Sequence, residues 1–332
     1  MNNKKLSVII LNWNGLELLK EFLPVAERFT TGPEVQLIVA DNGSQDGSPE
    51  WIRTNFPQVK LIRFEKNYGF AEGYNKAIEI VKTPYTILLN SDVEVTKNWW
   101  KPLLELMENN PDVGACQPKI KSYKDKSSFE YAGAAGGLLD RLGYPYCRGR
   151  LFDRIEKDNG QYDGTPADVC WASGAAMMVR TDLYLNLGGL DKLFFAHMEE
   201  IDLCCRILNA GFRVVAISDS EVFHVGGASL NQGNPKKTYL NFRNNLLLLF
   251  KNLPEKKRQL TILTRMITDT LAFLMFAAKL DFKNAGAIVK AHSDFRKMKK
   301  FYKITGKENK INRYPGSHRF IVFDRYFLNK NK

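Results

Sequence analysis

Two groups of polar residues stand where their types and spacing could do chemistry. Amides and carboxylates close four successive apolar runs: Asn12 and Asn14, Asp41 and Asn42, Asn67, then Asn90, Ser91 and Asp92. At one run such residues are ordinary turn chemistry. Repeated at four, they describe groups gathered at one edge to grip a polar ligand. Further along, Glu199-Glu200-Ile201-Asp202 puts three carboxylates into what reads as a first helical turn, after the aromatic pair Phe194-Phe195. A helix dipole stabilises negative charge there, which explains one acidic residue more readily than three. His224 ends an apolar run beside Gly226-Gly227, as a strand-closing histidine does. No G-x-G-x-x-G follows the first apolar run, and neither G-x-x-x-x-G-K-[ST] nor G-x-S-x-G occurs. A dinucleotide dehydrogenase, a P-loop enzyme and an α/β-hydrolase are all disfavoured.

The elements that must position these groups alternate. Residues 6–12 form a β-branched run suited to a buried strand, and 15–29 place Leu16, Leu19, Phe22, Leu23 and Ala26 at helical spacing. Strands follow at 35–40, 59–64 and 85–89, with a helix opening at Ser48-Pro49 (Ser48 as N-cap) and another over 70–81. Strands separated by such helices read as βαβ units, so the class is α/β with a largely parallel sheet. The middle, 113–222, is less regular. Residues 133–137 and 143–150 read as a mobile glycine-rich excursion, 169–179 as a strand, 199–210 as a helix stopped by Gly211, and 212–217 as another strand.

The chain has 332 residues, of which 44% are hydrophobic and 12% aromatic, enough for a sizeable core and about two domains. Five cysteines without C-x-x-C spacing argue against a zinc site or a disulfide scaffold and suit a reducing compartment. The apolar run 6–11 is too short for a signal peptide or a membrane span. The net charge of +12 is unevenly shared: residues 236–332 hold 23 basic and 6 acidic residues, so that stretch is +17 and the remainder −5. A division into 1–235 and a basic, largely helical extension 236–332 follows. The long helical stretch 260–280 contains Arg265, Asp269 and Lys279, and its uninterrupted apolar piece is 271–278, so it reads as an interfacial amphipathic segment. An anionic membrane surface, nucleic acid or an acidic partner would each suit the extension. The acidic body and the absence of a nucleic-acid motif argue against nucleic acid.

Taken in order, several motifs add up to more than each does alone. They are Val8-Ile9-Ile10-Leu11-Asn12-Trp13-Asn14, Val39-Ala40-Asp41-Asn42-Gly43-Ser44-Gln45-Asp46-Gly47-Ser48, Asn67-Tyr68-Gly69-Phe70-Ala71 and Leu88-Leu89-Asn90-Ser91-Asp92-Val93-Glu94-Val95. Trp171-Ala172-Ser173-Gly174-Ala175, Gly188-Gly189-Leu190-Asp191, the stretch 194–206 and His224-Val225-Gly226-Gly227-Ala228-Ser229 follow. Over about residues 5–250 this set resembles the inverting family-2 glycosyltransferases of GT-A fold, in particular their rhamnosyltransferase-like branch. The resemblance implies a mostly parallel, Rossmann-like sheet flanked by helices, with the basic helical extension appended.

It also implies an activity. A hexose or deoxyhexose, rhamnose among them, would pass with inversion from a nucleoside-diphosphate sugar to a glycan or lipid-linked acceptor in bacterial surface polysaccharide synthesis. The family's Asp-x-Asp pattern, which binds metal and ribose, reads Asn90-Ser91-Asp92 here, so Asp92 becomes the carboxylate on Mg2+ or Mn2+, with His224 and Glu94 as further ligands. Glu94 is alternatively a solvated side chain. Asp41 corresponds to the acceptor of hydrogen bonds from the base, and Asn12 and Asn67 line the same pocket; strand-end capping is the alternative for each. Glu200 falls at the general-base position, with Asp202 and Glu199 next. Trp171, Ser173 and Gly174 would meet the acceptor, Trp171 by stacking on a sugar, although a core tryptophan fits equally. Arg206 is an i,i+4 partner for Asp202. The implied place is the cytoplasm, peripheral at the inner face of a bacterial membrane, with the basic tail on anionic lipid. The other readings are a nucleic-acid-binding protein and an inactive glycan-binding relative.

Overall fold

The computed structural model of the chain describes residues 4–226, 233–302, 315–316 and 320–322. The first half alternates as the sequence predicts: β1 (Leu6–Asn12), α1 (Leu16–Phe29), β2 (Val35–Asp41), α2 (Ser48–Asn55), β3 (Lys60–Arg63), α3 (Gly69–Ile80), β4 (Tyr85–Asn90), β5 (Val93–Val95) and α4 (Lys101–Asn109). Then come β6 (Val113–Ser122), β7 (Gly137–Leu139), β8 (Pro145–Cys147), β9 (Arg150–Leu151), β10 (Arg154–Ile155), β11 (Ala167–Asp168), β12 (Ala176–Arg180) and α5 (Thr181–Asn186). The last elements are α6 (Glu199–Asn209), β13 (Arg213–His224), α7 (Pro235–Asn252), α8 (Glu255–Ala278) and α9 (Phe282–Met298). Ser48 does not cap α2. The helix begins at Ser48 itself after Gly47 at φ 82°, and the hydroxyl is engaged by Asn12 and Asp46 instead.

Among the described residues the main sheet runs β11-β13-β6-β12-β4-β1-β2-β3, with β5 on β13. Its β3-β2-β1-β4 half is parallel, and antiparallel β12 joins it to the parallel pair β6-β13. Both faces are covered, which is why these strands are continuous apolar runs. Ile9, Ile38 and Leu88 pack under α3, α6 and α7, while Val8, Ile10, Val39 and Leu89 pack under α1, α2 and α4. The boundary drawn at residue 235 falls at the start of α7, and α7 itself enters the core through Leu246, Leu247, Leu248 and Leu249.

The glycine-rich excursion is not a loose loop. It folds into a small antiparallel sheet, β10-β9-β8-β7, whose turns use Gly143 at φ 76° and Gly149 at φ 92°. The segment 169–179 is a strand only from Ala176 onward. Before that it runs beneath the small sheet, where Trp171 forms an isolated bridge with Gly137. The Trp171 ring is 3% exposed and lies flat on the glycine, and its Nε1 donates to Leu138 O at 3.0 Å. Burial and a satisfied N–H make Trp171 a core residue, so the expectation that it stacks on a sugar is corrected.

A Cβ added to Gly137 would stand 2.0 Å from Trp171 Cδ2. Gly137→Ala is therefore expected to destabilise the fold by about 1–3 kcal/mol through overpacking. The check is a lowered urea midpoint with an unchanged slope.

Candidate active site

The carboxyl ends of the strands bring the predicted groups to one edge. Asn12 and Asp41 are paired in register across β1 and β2. Asn12 Nδ2 donates to Asp41 Oδ2 at 3.0 Å, to Ser44 Oγ at 3.2 Å and to Ser48 Oγ at 2.9 Å. Asp41 Oδ1 accepts Ser44 N at 3.0 Å, so this buried carboxylate shapes the loop 41–48. Asn42 does the same for the next loop, donating to Asn67 Oδ1 and Gly69 O and accepting Tyr68 N, each at 3.0 Å. Asn67 itself is exposed.

One strand further, Leu11 of β1 pairs with Asn90 of β4, and Asn90 N donates to Ala175 O at 3.0 Å. The preceding Gly174 faces α6: a Cβ there would stand 3.7 Å from Glu200 Cβ. On its other side, Asn90 Nδ2 lies 3.4 Å from His224 Nε2, which in turn lies 3.1 Å from Asp92 Oδ1. Asp41, Asp92 and Glu200 are thus linked through Asn12, Leu11, Asn90 and Gly174 into one continuous edge.

His224 sits between two carboxylates, with Asp92 on Nε2 and Glu130 Oε2 at 3.5 Å from Nδ1. Burial alone would pull the imidazole pKa down, but Asp92 and Glu130 outweigh it and hold the ring up at about 10. Among the described residues no cluster of three or more His, Cys, Asp or Glu is arranged as a metal site. The 3.1 Å between Asp92 Oδ1 and His224 Nε2 nevertheless matches two ligands on one small divalent ion. Bonds of about 2.1 Å at right angles put their ends about 3 Å apart. Asp92 and His224 therefore fit such an ion as a pair, with Glu130 orienting the ring from behind. Glu94 does not join them. It pairs in register with Phe223, the neighbour of His224 that faces the other way, and its carboxylate binds Lys126 at 2.5 Å. Its predicted role as a metal ligand is corrected.

Glu200 owes its position to a strained turn. Phe195, His197 and Met198 all have φ between 67° and 72°, a region non-glycine residues rarely enter. The turn's carbonyls are taken by a side chain of α7. Asn244 Nδ2 donates to Phe194 O at 3.0 Å, Ala196 O at 2.9 Å and His197 O at 2.7 Å. Arg243 adds bonds to Leu193 O and Phe194 O and holds Asn244 Oδ1 at 2.7 Å. The α6 that emerges has three carboxylates in three states. Asp202 is fully buried; burial would raise its pKa, but Arg206, Lys251 and Asn252 reverse that and hold it down at about 2. With both oxygens engaged, Asp202 anchors the helix and is not a proton acceptor, which corrects its place among the catalytic candidates. Glu199 is pushed well up by burial and then by its neighbour Glu200. Glu200 is raised by burial to about 7, against backbone N–H groups of the first turn that pull it down. One of its oxygens, like one of Glu199, is buried without a hydrogen-bond partner, and of the three residues Glu200 alone is only partly buried.

Ser173, like Trp171, is scaffold: its N donates to Gln117 Oε1 and its hydroxyl to Ala132 O, both at 2.9 Å. Of the three acceptor candidates only Gly174 borders Glu200. Gly227, Ala228 and Ser229 lie outside the described residues. Sequence reasoning missed Glu130 and Asn244. Nothing local marks Glu130, but Arg243-Asn244-Asn245 interrupts a leucine-rich helix with buried polar groups, a signal that was there to read.

The profile described as "Glycosyl transferase family 2" matches residues 7–180. An N-acetylglucosaminyl-diphospho-decaprenol L-rhamnosyltransferase of Mycobacterium tuberculosis is 27% identical over 237 residues, 66% of this chain and 75% of its own. Among solved structures, TarS 1–349 of S. aureus in complex with UDP-GlcNAc superposes with a TM-score of 0.58 at 16% identity, covering 88% of this chain and 80% of that one. GalNAc-T7 with UDP, GalNAc and Mn2+ gives a TM-score of 0.58 at 16% identity over 76% of this chain and 49% of that one. The fold is GT-A, as the sequence motifs imply.

Two outcomes follow from the site. A carboxyl whose folded pKa is raised from 4.5 to about 7 favours the proton-bound native state, so it costs stability as pH rises through that window. Glu200→Gln should therefore raise Tm at pH 8 and leave it nearly unchanged at about pH 4, below both values. Asn244→Ala takes the donor from the Ala196 and His197 carbonyls, while Phe194 O keeps Arg243; it should cost about 1–3 kcal/mol. Its hydrogen exchange should speed up mainly within 193–202.

Proposed function

Because the chain belongs to glycosyl transferase family 2, we propose that it moves a hexose or deoxyhexose, with rhamnose the leading candidate, from a nucleoside-diphosphate sugar to a glycan or lipid-linked acceptor, with inversion. The lipid-linked acceptor is suggested by the mycobacterial relative, whose name specifies a glycosylated diphospho-decaprenol. The setting would be bacterial surface polysaccharide synthesis, at the cytoplasmic face of the cell membrane, where the basic extension meets anionic lipid.

The observation that carries the proposal is Glu200: a carboxylate with one unpartnered oxygen, a pKa of about 7, and a position across Gly174 from Asn90 and the Asp92–His224 pair. A general base works best when its pKa lies near the working pH, and such a group contributes about 10²–10⁴-fold. In this reading Glu200 takes the proton from the acceptor hydroxyl as that oxygen attacks the anomeric carbon opposite the leaving diphosphate. Asp92 and His224 would hold Mg2+ or Mn2+, whose charge offsets that developing on the diphosphate. To bind it, His224 must first give up the proton that Asp92 and Glu130 favour. Asn12, Asp41 and Asn67 would receive the nucleoside, Asp41 by exchanging one of its loop hydrogen bonds for one from the base, while Asn90 and Ser91 border the ribose.

The test is turnover of dTDP-, UDP- and GDP-sugars with Mg2+ or Mn2+ on a lipid-diphosphate-linked N-acetylglucosamine acceptor. Asp92→Asn and Glu200→Gln should each lower kcat, the latter by about 10²–10⁴-fold. For the wild type, kcat/KM should rise with pH and level off above about 7, because protonated Glu200 cannot accept the proton. Unchanged turnover in either variant removes that residue from its role, and full activity after exhaustive chelation removes the ion.

A further inference from the structure

We propose that α8 is a lipid-facing helix whose outer stripe, Leu260, Leu263, Ile267, Leu271 and Leu274, inserts into the interface of an anionic bilayer while the helix lies along the membrane plane. The five residues recur at three- and four-residue intervals, so they form one stripe of the helix. They are 55–71% exposed, an unusual concentration of large aliphatic side chains in water.

The opposite stripe is committed to the protein. Arg265 is buried, stacks 3.5 Å above the Tyr144 ring, donates Nε to Asp269 Oδ1 at 2.8 Å and reaches Asn245 Oδ1. Asp269 Oδ2 in turn meets His292 Nε2 of α9 at 3.0 Å. By length and composition Lys257–Ala278 could cross a membrane. A helix with a buried ion pair at its centre, packed on Tyr144, Asn245 and His292, instead offers lipid one face only. That is the arrangement of an interfacial helix.

Charge selects the partner. Lys257 and Lys279 bracket the stripe, and on α9 Lys283 and Lys290 stand beside exposed Phe282 and Val289. Among the described side chains of residues 255–302, the acids are exposed Glu255, partly exposed Asp281 and Asp294, and buried Asp269, against exposed Lys257, Lys279, Lys283, Lys290, Arg296, Lys297, Lys299 and Lys300. Two copies of this chain meeting through such faces would bring like charges together, whereas an anionic leaflet attracts each exposed lysine. The inference rests on the membrane reading of the extension and goes past it: adsorption through lysines alone leaves the aliphatic stripe in water.

Vesicles of phosphatidylcholine with and without phosphatidylglycerol separate these ideas, using the full chain and no sugar donor. Ile267→Trp should gain blue-shifted emission that brominated acyl chains quench, and the protein should stay on anionic vesicles when salt is raised. The triple variant Leu263→Glu, Ile267→Glu, Leu271→Glu should lose at least tenfold in vesicle partition, with unchanged circular dichroism and unchanged turnover on a water-soluble acceptor. Equal partition by the triple variant, or no quenching at 267, overturns insertion. A wild-type dimer that this variant dissociates, without vesicle binding by either, assigns the stripe to a second copy and also overturns it. A failure of the transferase assignment would appear separately, as absent turnover with partition intact.

Discussion

Backbone carbonyls of the turn before α6, gathered by one side chain of α7, hold this site together. Between Phe194 and Met198 the chain takes left-handed conformations at three non-glycine residues, so its C=O groups diverge instead of joining the helix that follows. A buried carbonyl without a partner costs as much as a lost hydrogen bond. Asn244 supplies one amide to Phe194, Ala196 and His197 together, and Arg243 locks that amide by gripping its oxygen. The direction of α6, and with it the place of Glu200, follows from this clamp. Strain of this kind persists only where surrounding groups over-determine it, and here they come from a helix that follows the matched family segment.

The same helix decides the charge of the turn it holds. Three acidic residues at one helix start would repel one another if all were ionised. Lys251 and Asn252 of α7, with Arg206 of α6, give Asp202 enough positive charge and hydrogen bonding to stay ionised although buried. Glu199 has no such partner, and burial pushes it well up. Glu200 lies between these limits and is pushed to about 7. Neighbouring carboxyls driven to different pKa values by different surroundings are what acid–base chemistry near neutral pH requires.

Much of this was legible from the residues. Strand ends declare themselves through apolar runs closed by Asn and Asp, and the register Asn12 to Asp41 and Leu11 to Asn90 follows once the runs are parallel neighbours. The segment 199–202 stood out because three carboxylates exceed what a dipole needs, and the family resemblance set Glu200 among them at the general-base position. Partners brought in from afar were harder. Glu130 reaches His224 across 94 positions of sequence, and no local pattern announces it. Trp171 misled because an aromatic residue beside Ser-Gly suits a sugar as well as a core, and only the glycine beneath its ring separates the two. Glu94 misled because alternation along β5 was settled by its pairing with Phe223. The glycines of 133–149 suggested mobility where they make the turns of a small sheet.

Adjacent amides of α7 face different tasks, and that adjacency ties the site to the extension. Asn244 points at the turn before Glu200, while Asn245 donates to Gly143 O at 2.6 Å and receives Arg265 of α8. Leu246 to Leu249, on the same helix, are in the core beneath the sheet. A helix fixed in that core sets the backbone positions of both amides together. The outer stripe of α8 is therefore held at a set angle to Glu200 by one rigid element and two buried polar contacts. If that stripe rests in a bilayer, the edge that carries Glu200 stands at one height and one tilt above the lipid. For an acceptor tethered to the same membrane, fixed height and tilt present its sugar repeatedly to one carboxylate, the orientation gain on which positioned reactions depend.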